Sequence, residues 1–407
     1  MVDFLTLDTL NLTGKTVLLR ADLNVPLQNG VVTDDSRLSR LLPTLRDLAH
    51  AKARIVILSH FGRPKGQADT KNSLRPVAQA LEKLWQQPIG FAKSCVGPEA
   101  TAAVQNLVPG QILVLENTRF YPGEEANDPL FVKELAQLGD VYINDAFSCA
   151  HRAHASTEGL AHVLPAGAGR LMHEELLALT QALTTPERPL VALIGGSKIS
   201  TKLELLYNLI NKVDFLVLGG GMANTFLAAQ GVFIGKSLAE PDMYETARSI
   251  MTKANNHHCH ILLPKDVIVA TALQSHIETE TVNIDTIPAN KMILDVGPLS
   301  VCDIQNTIAK CKTLVWNGPL GAFEFPPFDT ATNNVARYVA DLTKKDSLLS
   351  VAGGGDTVAA MANAGVLNGM SYLSTAGGAF LEWLEGKDLP GVVALHQAAL
   401  TSLEHIA

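Results

Sequence analysis

Two lysines and an aspartate follow glycine-rich turns in the second half of the chain, where they could bind the phosphate groups of a nucleotide. Lys198 and Lys202 belong to the segment GGSKISTK, and Asp356 follows three glycines. We expect both lysines on the first turn of a helix, where a spacing of four residues places their ammonium groups on one face. Asp356 either caps the helix that begins there or holds a nucleotide-bound Mg²⁺, because Mg²⁺ favours one or two carboxylates together with phosphate oxygens.

The elements that must position these side chains repeat one unit, an apolar strand followed by a glycine cluster and a helix. The instances are PLVALIGGSK (189–198), DFLVLGGGMANT (214–225), TLVWNGPLG (313–321), SLLSVAGGGDT (347–357) and SYLSTAGGA (371–379). Glycine permits a sharp turn and close approach to a ligand, and a helix N-terminus attracts phosphate. The repeat therefore predicts a nucleotide-phosphate site. Glu324, after WNGPLGAF, is either a ligand for ribose hydroxyl groups or a surface acid.

Polar side chains stand at the carboxyl ends of four apolar strands predicted in the first half. The strand at 17–24 ends in Arg20, Asp22 and Asn24, the strand at 54–60 ends in His60 and leads to Arg63, the strand at 112–119 ends in Glu116 and Arg119, and the strand at 141–147 contains Asp145 and leads to His151, Arg152 and His154. Arg37 lies in the polar loop after VVTDDS. Ligands of open α/β sheets bind beyond the carboxyl ends of the strands. The pattern favours a pocket for a small molecule with phosphate and carboxylate groups, although each arginine alone could cap a helix or pair on the surface.

Strand and helix patterns alternate along the whole chain, which is typical of βαβ units with parallel sheets. An amphipathic helix at 171–184 ends at TTPERP, because proline cannot continue a helix, and a new strand begins at once. We therefore place a domain boundary near 185–190.

Composition and motifs exclude several classes of protein. The chain has 407 residues, 47% of them hydrophobic, and a net charge of −8, which argues against coating nucleic acid or an anionic membrane. We expect no signal peptide, no membrane span and a cytoplasmic protein with reduced thiols, since the five cysteines form no C-x-x-C pair. There is no P-loop motif, the dinucleotide fingerprint is poorly supported, and HHCH (257–260) matches no standard zinc spacing.

Nine motifs in order closely resemble the phosphoglycerate kinase family: RADLNVP (20–26), SHFGRPKG (59–66), LENTRF (115–120), DAFSCAHRAHAS (145–156), GGSKISTKL (195–203), GGGMANTFL (219–227), WNGPLGAFE (316–324), AGGGDT (352–357) and STAGGA (374–379). The resemblance implies an α/β fold of two Rossmann-like domains, with parallel sheets facing a central cleft and a hinge helix between them. The implied domains are 1–185 for phosphoglycerate and 186–389 for nucleotide, with 390–407 packing back on the first.

The resemblance also implies the reaction and its residues. A phosphoryl group would move between 1,3-bisphosphoglycerate and MgADP, giving 3-phosphoglycerate and MgATP, in a monomer that uses Mg²⁺ and no general base. Phosphoglycerate would be bound by Asp22, Asn24, Arg37, His60, Arg63, Arg119 and Arg152. The nucleotide would be bound by Lys202, Gly220, Gly221, Leu294, Asn317, Glu324, Gly354, Gly355, Asp356 and Thr357, with Asp356 on the metal. Catalysis would rest on Arg37, Lys198, Lys202, Gly377 and Gly378.

Two other functions stay open at this point, a non-catalytic nucleotide-binding scaffold of the same fold and a dinucleotide-dependent oxidoreductase. The sequence also departs from the family pattern. Ser148 and Cys149 stand where Gly and Thr or Ser are usual, Ala376 replaces a glycine, and Leu299 replaces a charged residue. None of these changes removes a charged catalytic residue, so we interpret them as tuning. A Cβ at position 376 is tolerable if φ is negative and costly if φ is positive.

Overall fold

The computed structural model describes residues 4–404 as alternating strands and helices. The strands are β1 (Thr16–Arg20), β2 (Leu27–Gln28), β3 (Val31–Val32), β4 (Arg54–Leu58), β5 (Ile89–Phe91), β6 (Ile112–Val114), β7 (Val141–Asn144), β8 (Ala166–Ala168), β9 (Leu190–Ile194), β10 (Phe215–Leu218), β11 (His260–Leu262), β12 (Asp266–Ala270), β13 (Glu280–Asn283), β14 (Met292–Val296), β15 (Thr313–Asn317), β16 (Leu349–Gly353) and β17 (Tyr372–Ser374). The helices are α1 (Ser36–His50), α2 (Arg75–Trp85), α3 (Gly97–Gln105), α4 (Pro122–Glu125), α5 (Pro129–Ala136), α6 (Arg170–Leu183), α7 (Leu203–Ile210), α8 (Gly220–Ala229), α9 (Tyr244–Asn256), α10 (Pro298–Ile308), α11 (Thr330–Lys344), α12 (Gly355–Asn363), α13 (Gly378–Leu384) and α14 (Pro390–Glu404).

The first half forms a six-stranded parallel sheet in the order β5-β6-β4-β1-β7-β8. Strand β1 lies near its centre, with Leu18 opposite Val56 of β4 and Tyr142 of β7. All five residues of β1 are buried, as expected for a parallel strand covered on both faces. Because the strands are parallel, their carboxyl ends meet at one edge.

The second half forms another six-stranded parallel sheet, in the order β11-β10-β9-β15-β16-β17. The chain between β11 and β15 forms a separate three-stranded antiparallel sheet in the order β13-β12-β14. The predicted α/β class with two Rossmann-like parallel sheets is confirmed.

The chain divides into two compact units. The first unit comprises the described residues up to Leu177 together with those from Asp388 onward, and the second unit is Ala178–Lys387. Helix α6 contains the boundary, and its first turn is anchored in the first unit, where the Oδ1 of Asp145 accepts a hydrogen bond from the Met172 amide at 3.1 Å. No helix among residues 4–404 is both long enough and apolar enough to cross a membrane.

The strands of the first sheet end earlier than the sequence patterns indicate. β1 ends at Arg20 instead of Asn24, and β4 ends at Leu58 instead of His60. Side chains take over the backbone hydrogen bonds at this edge. The Leu23 amide donates to the Oγ of Ser59 at 2.9 Å, and the Phe61 amide donates to the Oδ1 of Asn117 at 3.1 Å. Such local bonds compete with the strand ladder and end it.

Candidate active site

An aspartate at the edge of the first sheet collects hydrogen bonds from three directions. The Oδ1 of Asp22 accepts from the Asn24 amide at 3.1 Å. Its Oδ2 accepts from Arg37 Nη1 at 2.8 Å and from Ser148 Oγ at 2.5 Å. Burial alone would raise the pKa of Asp22, but the charges of Arg37 and Arg20 and the hydrogen bond from the Ser148 hydroxyl together lower it. Asp22 therefore carries a fixed negative charge at this edge.

Arg37 does not lie in a loop, as the sequence pattern indicated, but on the first turn of α1. The helix begins at Ser36, the serine of TDDS, with Asp35 as its N-cap residue, so Arg37 is already helical. Its Nη1 also donates to the Asn24 carbonyl at 3.0 Å, while the Asn24 Oδ1 accepts from the Gly62 amide at 3.0 Å. The arginine side chain is 37% exposed. The protein thus holds Nη1 of the guanidinium in place, while the side chain remains accessible to an anionic ligand.

His60 is held in one neutral form by a buried arginine. Arg20 Nη2 lies 3.0 Å from His60 Nδ1, and because a guanidinium can only donate, Nδ1 is the acceptor. The proton of the neutral ring is therefore on Nε2. Burial and then the charge of Arg20 hold the pKa of His60 well below its usual value. His60 can thus donate a hydrogen bond from Nε2 without titrating near neutral pH.

Arg20 is itself part of a buried network that the sequence did not reveal. Its Nε donates to Ser156 Oγ at 2.8 Å, and Ser156 donates to the carboxylate of Glu124 at 2.5 Å. Glu124 is fully buried. A buried cation requires such compensation, so Glu124 acts through Ser156 to keep Arg20 charged beside His60. The sequence pattern counted Arg20 among the ligand-binding arginines at the strand end, but the structure gives it this internal position.

The remaining arginines lie in the loops that follow β4, β6 and β7. Arg119 donates to the Gly62 carbonyl at 2.8 Å, and its Nε lies 2.9 Å from Glu125. Arg152 is half-buried, and its charge, like that of Arg119, lowers the pKa of His60. Burial and the same arginines lower the pKa of His154 to about 4. Arg63 is exposed in the loop after β4. We call Asp22, Asn24, Arg37, His60, Arg63, Arg119 and Arg152 the strand-end site.

Asp22, His60 and Cys149 present ligand atoms within 4.8 Å of one another, a set that could in principle hold a metal ion. The surrounding donors favour hydrogen bonding instead. Arg20 occupies the His60 Nδ1 lone pair, and Arg37 and Ser148 occupy Asp22. Burial raises the pKa of the Cys149 thiol, which keeps it protonated. Four arginines around this cluster suit a bound anion better than a cation.

In the second unit, Lys202 points inward at the edge of the sheet. Its Nζ donates to the Gly195 carbonyl and to Asn317 Oδ1, both at 2.6 Å. Burial lowers the pKa of Lys202 to about 8, and the charge of Asp356 partly opposes this shift. The ammonium group is therefore charged at neutral pH but poorly solvated, which prepares it to meet an anion.

The prediction that Lys198 and Lys202 share one face of a helical turn is wrong. Helix α7 begins at Leu203, and Lys202 is its N-cap residue. Lys198 lies in the preceding loop, is exposed, and acts electrostatically on Glu240. Glu240 accepts hydrogen bonds from Ser200, which holds this loop away from helical geometry.

A cavity of about 380 Å³ opens beside these groups in the second unit. Among the predicted nucleotide-binding residues, its lining includes Gly220, Gly221, Leu294, Glu324 and Asp356. The glycines begin helix α8, whose unpaired amides favour an anion. We call this the glycine-lined cavity.

The wall of the cavity includes residues that the sequence analysis missed: Gly196, Ser197, Leu238, Met292, Pro319 and Ala322. Gly196 and Ser197 stand inside a motif that drew attention to its lysines. Pro319 and Ala322 stand inside WNGPLGAFE, which drew attention to Glu324, whereas Leu238 and Met292 lie outside the quoted motifs, so the sequence offers no signal for them.

Tight backbone contacts shape the turns around the cavity. A Cβ at Gly195 would lie 1.8 Å from the Pro319 carbonyl oxygen, so the turns after β9 and β15 can approach only with glycine there. Gly354 has φ of 100°, and a Cβ there would lie 2.6 Å from the Nδ2 of Asn317. Thr357 accepts a hydrogen bond from the Gly318 amide at 2.8 Å. Asn317, Gly354 and Thr357 thus support Lys202 and the turn, and Gly355 begins α12. Of this glycine segment, Asp356 is the residue that lines the cavity.

Gly377 and Gly378 lie at the start of α13 and are not in the lining of the cavity. A Cβ at Gly377 would meet open space, so its backbone is accessible. The positive φ of this turn, 57°, falls on Gly377, and Ala376 is not among the described residues with positive φ. Ala376 is therefore tolerated without the strain that a left-handed conformation would impose.

Asp356 lies on the first turn of α12, where Gly354 is the N-cap residue, so the aspartate does not cap the helix. Its side chain is exposed at the cavity and accepts no hydrogen bond from any described residue. Both carboxylate oxygens are open to a ligand. A single carboxylate facing a cavity suits Mg²⁺, which takes few protein ligands and completes its shell with phosphate oxygens and water. The residues present fit a nucleotide-bound Mg²⁺.

Comparisons with known proteins agree with this geometry. The model of the phosphoglycerate kinase family matches residues 7–387. A phosphoglycerate kinase of Ruegeria sp. is 60% identical over 390 residues, which cover 96% of this chain and 98% of that protein. One of Rhodospirillum centenum is 59% identical over 392 residues, covering 96% and 99%. The solved structure of phosphoglycerate kinase from Coxiella burnetii has a TM-score of 0.91 and 44% identity, covering 97% of this chain and 100% of that one. The predicted kinase family is confirmed and is favoured over the oxidoreductase and scaffold alternatives: the chain belongs to the phosphoglycerate kinase family, whose members are phosphotransferases.

Proposed function

We propose that the protein transfers a phosphoryl group reversibly between 1,3-bisphosphoglycerate and MgADP, giving 3-phosphoglycerate and MgATP. The observation that carries this proposal is the family match over residues 7–387, in a chain in which the charged residues of the two predicted sites lie in two separate units. The strand-end site offers an anion-binding set, and the glycine-lined cavity offers a second one in the other unit.

We assign the strand-end site to phosphoglycerate. Arg63, Arg119 and Arg152 would bind its phosphate group, since arginine pairs with phosphate oxygens in two-point fashion. Asp22 and Asn24 would bind its hydroxyl group. The neutral Nε2–H of His60 would donate to an oxygen of the substrate. Arg37 would stabilise the carboxylate as negative charge returns to it during ATP formation.

We assign the glycine-lined cavity to the nucleotide. Leu294, Gly220 and Gly221 would border the adenine and ribose, and Glu324 would bind the ribose hydroxyl groups. Asp356 would hold Mg²⁺, which neutralises charge on the nucleotide phosphates when bound.

The same unit would supply the groups that stabilise the phosphoryl group in transit. Lys202, with Asn317 holding its ammonium group, would bind this group directly, and Lys198 would add a second positive charge. The backbone amides near Gly377 and Gly378 would add donors. The reaction needs no general base, because the substrate carboxylate is a good leaving group and the attacking ADP oxygen is already ionised. Alignment and charge neutralisation would supply the catalysis.

We further propose that α6 is a hinge. The two sets of ligand-binding residues belong to different units, and the boundary between the units falls inside this helix. A hinge at this helix would let the two units bring the ligands together and exclude water during transfer. The functional domains would be 1–185 and 186–389, with 390–407 serving the first.

The test is a coupled assay with 3-phosphoglycerate, MgATP and an excess of a downstream dehydrogenase. The wild type should turn over, and Lys202→Ala should lower kcat by about 10²–10³-fold, as the loss of one transition-state donor does. Lys345→Ala, which removes an exposed lysine of the same unit, is the matched control and should behave as the wild type. Near-wild-type turnover by Lys202→Ala would contradict the role of Lys202. No turnover by the wild type would contradict the proposed reaction.

A further inference from the structure

Ser148 makes the contact that links Asp22 to a neighbouring strand end. Its hydroxyl donates to Asp22 Oδ2 at 2.5 Å. The other donors to this carboxylate, the Asn24 amide and Arg37, come from the segment that follows β1. Ser148 comes from the turn after β7, which is the strand next to β1 in the sheet. The hydroxyl therefore fixes the carboxylate across the gap between two parallel strands.

The geometry is not that of a nucleophile. In a Ser-His-Asp triad the imidazole stands between hydroxyl and carboxylate. Here Ser148 donates directly to Asp22, while the Nδ1 of His60 accepts from Arg20. The neighbouring Cys149 thiol lies 3.9 Å from His60 Nδ1 and is buried. The hydroxyl proton is committed to the carboxylate, so the serine serves to orient it.

The fixed orientation of the Asp22 carboxylate matters because Arg37 also donates to it. The described contacts of its guanidinium with Asp22 and Asn24 both use Nη1. If Arg37 turned toward the carboxylate of a ligand, Asp22 would lose one of its two donors at Oδ2. Ser148 would keep the remaining oxygen fixed and charged during that exchange.

We propose that Ser148 is a positioning residue of the phosphoglycerate site, whose hydroxyl holds the Asp22 carboxylate ready to accept the hydroxyl group of the substrate. This inference rests on the proposed function of the strand-end site. The bond is already formed in the protein without ligand, so its loss should appear as lost preorganisation. We expect a three- to tenfold effect, on the order of the cost of immobilising one side chain.

The experiment compares the wild type with Ser148→Ala, Ser148→Thr and a control, Ser73→Ala. Ser73 makes the same kind of bond, hydroxyl to carboxylate, with Glu116 at 2.7 Å in the same unit. Ser148→Ala should raise the KM for 3-phosphoglycerate about three- to tenfold. The KM for MgATP and kcat should stay within about twofold of the wild type. Ser148→Thr, which keeps a hydroxyl, should restore the KM, and Ser73→Ala should not change it.

Two outcomes would overturn the inference while the proposed function stands. One is an unchanged KM for 3-phosphoglycerate in Ser148→Ala, and the other is an equal rise in both KM values, which marks general loosening. Calorimetric titration with 3-phosphoglycerate tests the inference even if the wild type shows no turnover. If the wild type does not turn over, the proposed function fails. Weaker binding by Ser148→Ala than by the wild type would still support the inference, whereas equal or undetectable binding by both would overturn it.

Discussion

The protonation of Lys202 should control how the enzyme captures its nucleotide. Burial lowers the pKa of this ammonium group to about 8, so the group is charged below that pH and neutral above it. A single group with this pKa is roughly nine-tenths protonated at pH 7 and roughly one-tenth protonated at pH 9. If only the charged form binds phosphate productively, kcat/KM for MgATP should fall about tenfold between pH 7 and pH 9.

Bound nucleotide should shift the alkaline limb of the pH profile, the fall in rate above pH 7, to a higher pH. On the proposed assignment, the phosphate groups would place negative charge beside the ammonium group of Lys202, which would favour its charged form and raise its pKa. Because kcat reports ionisations in the complex and kcat/KM reports those of the free enzyme, kcat should hold to a higher pH than kcat/KM. This difference separates Lys202 from a group that is remote from the nucleotide.

The assay is the initial rate from pH 6 to 9.5 at constant ionic strength, with the coupling enzyme shown to be in excess at each pH. Lys202→Arg is the informative variant, because a guanidinium stays protonated throughout this range. Its absolute rate should be lower, since its geometry differs, but its kcat/KM should lose the alkaline limb. Lys345→Arg should keep the wild-type profile. A wild-type profile that stays flat to pH 9.5, or an alkaline limb that persists in Lys202→Arg, would refute the reasoning.

Three further predictions follow from other positions. Arg63→Ala should raise the calorimetric Kd for 3-phosphoglycerate and leave the Kd for MgADP unchanged. The control Arg54→Ala, at the amino end of β4, the strand that precedes Arg63, should change neither Kd. Equal losses of affinity for both ligands in Arg63→Ala would contradict the assignment. Gly354→Ala should lower the free energy of unfolding by about 1–3 kcal/mol and weaken MgADP binding, because the φ of Gly354 is 100° and a Cβ there would collide with the Asn317 amide. The control Gly365→Ala has the same kind of strain, with φ of 74°, but its Cβ would meet open space, so it should lower stability without changing MgADP binding. Burial raises the pKa of Asp145 to about 6, so between pH 4 and 6 the folded protein keeps this proton while the unfolded chain loses it. The free energy of unfolding should therefore fall by about 2 kcal/mol across that range relative to Asp145→Asn, and thermal midpoints of the two proteins that change in parallel with pH would refute this.

The fold could be predicted because its strands are buried apolar runs between amphipathic helices. In α2, for example, the side chains of Val77, Ala78 and Leu81 face the core, as their spacing indicates. The ends of the strands could not be predicted, since Ser59 and Asn117 intercept backbone bonds across loops that are distant in sequence.

The sequence indicated the parts of the candidate site that charged residues and glycine turns mark, but not the parts that depend on the three-dimensional shape of the protein. The strand-end position of Asp22 and the glycine turns indicated two anion sites. The inward direction of Lys202 depends on Asn317, which lies 115 residues away, and no local pattern reports that contact. The Ser148 hydroxyl was visible in the sequence as a departure from the family, but its use requires the neighbouring strand.

The two-part construction of the first unit has a consequence for synthesis on the ribosome. Gly391, near the start of α14, donates its amide to the Ala150 carbonyl at 2.8 Å, so the last helix completes a surface whose other parts were made long before. All of Ala178–Lys387 must be translated in between. At ~5–20 residues per second this interval lasts roughly 10–40 s. The first unit therefore cannot complete this surface until α14 has been made, and apolar surface that stays uncovered for this long is prone to aggregation.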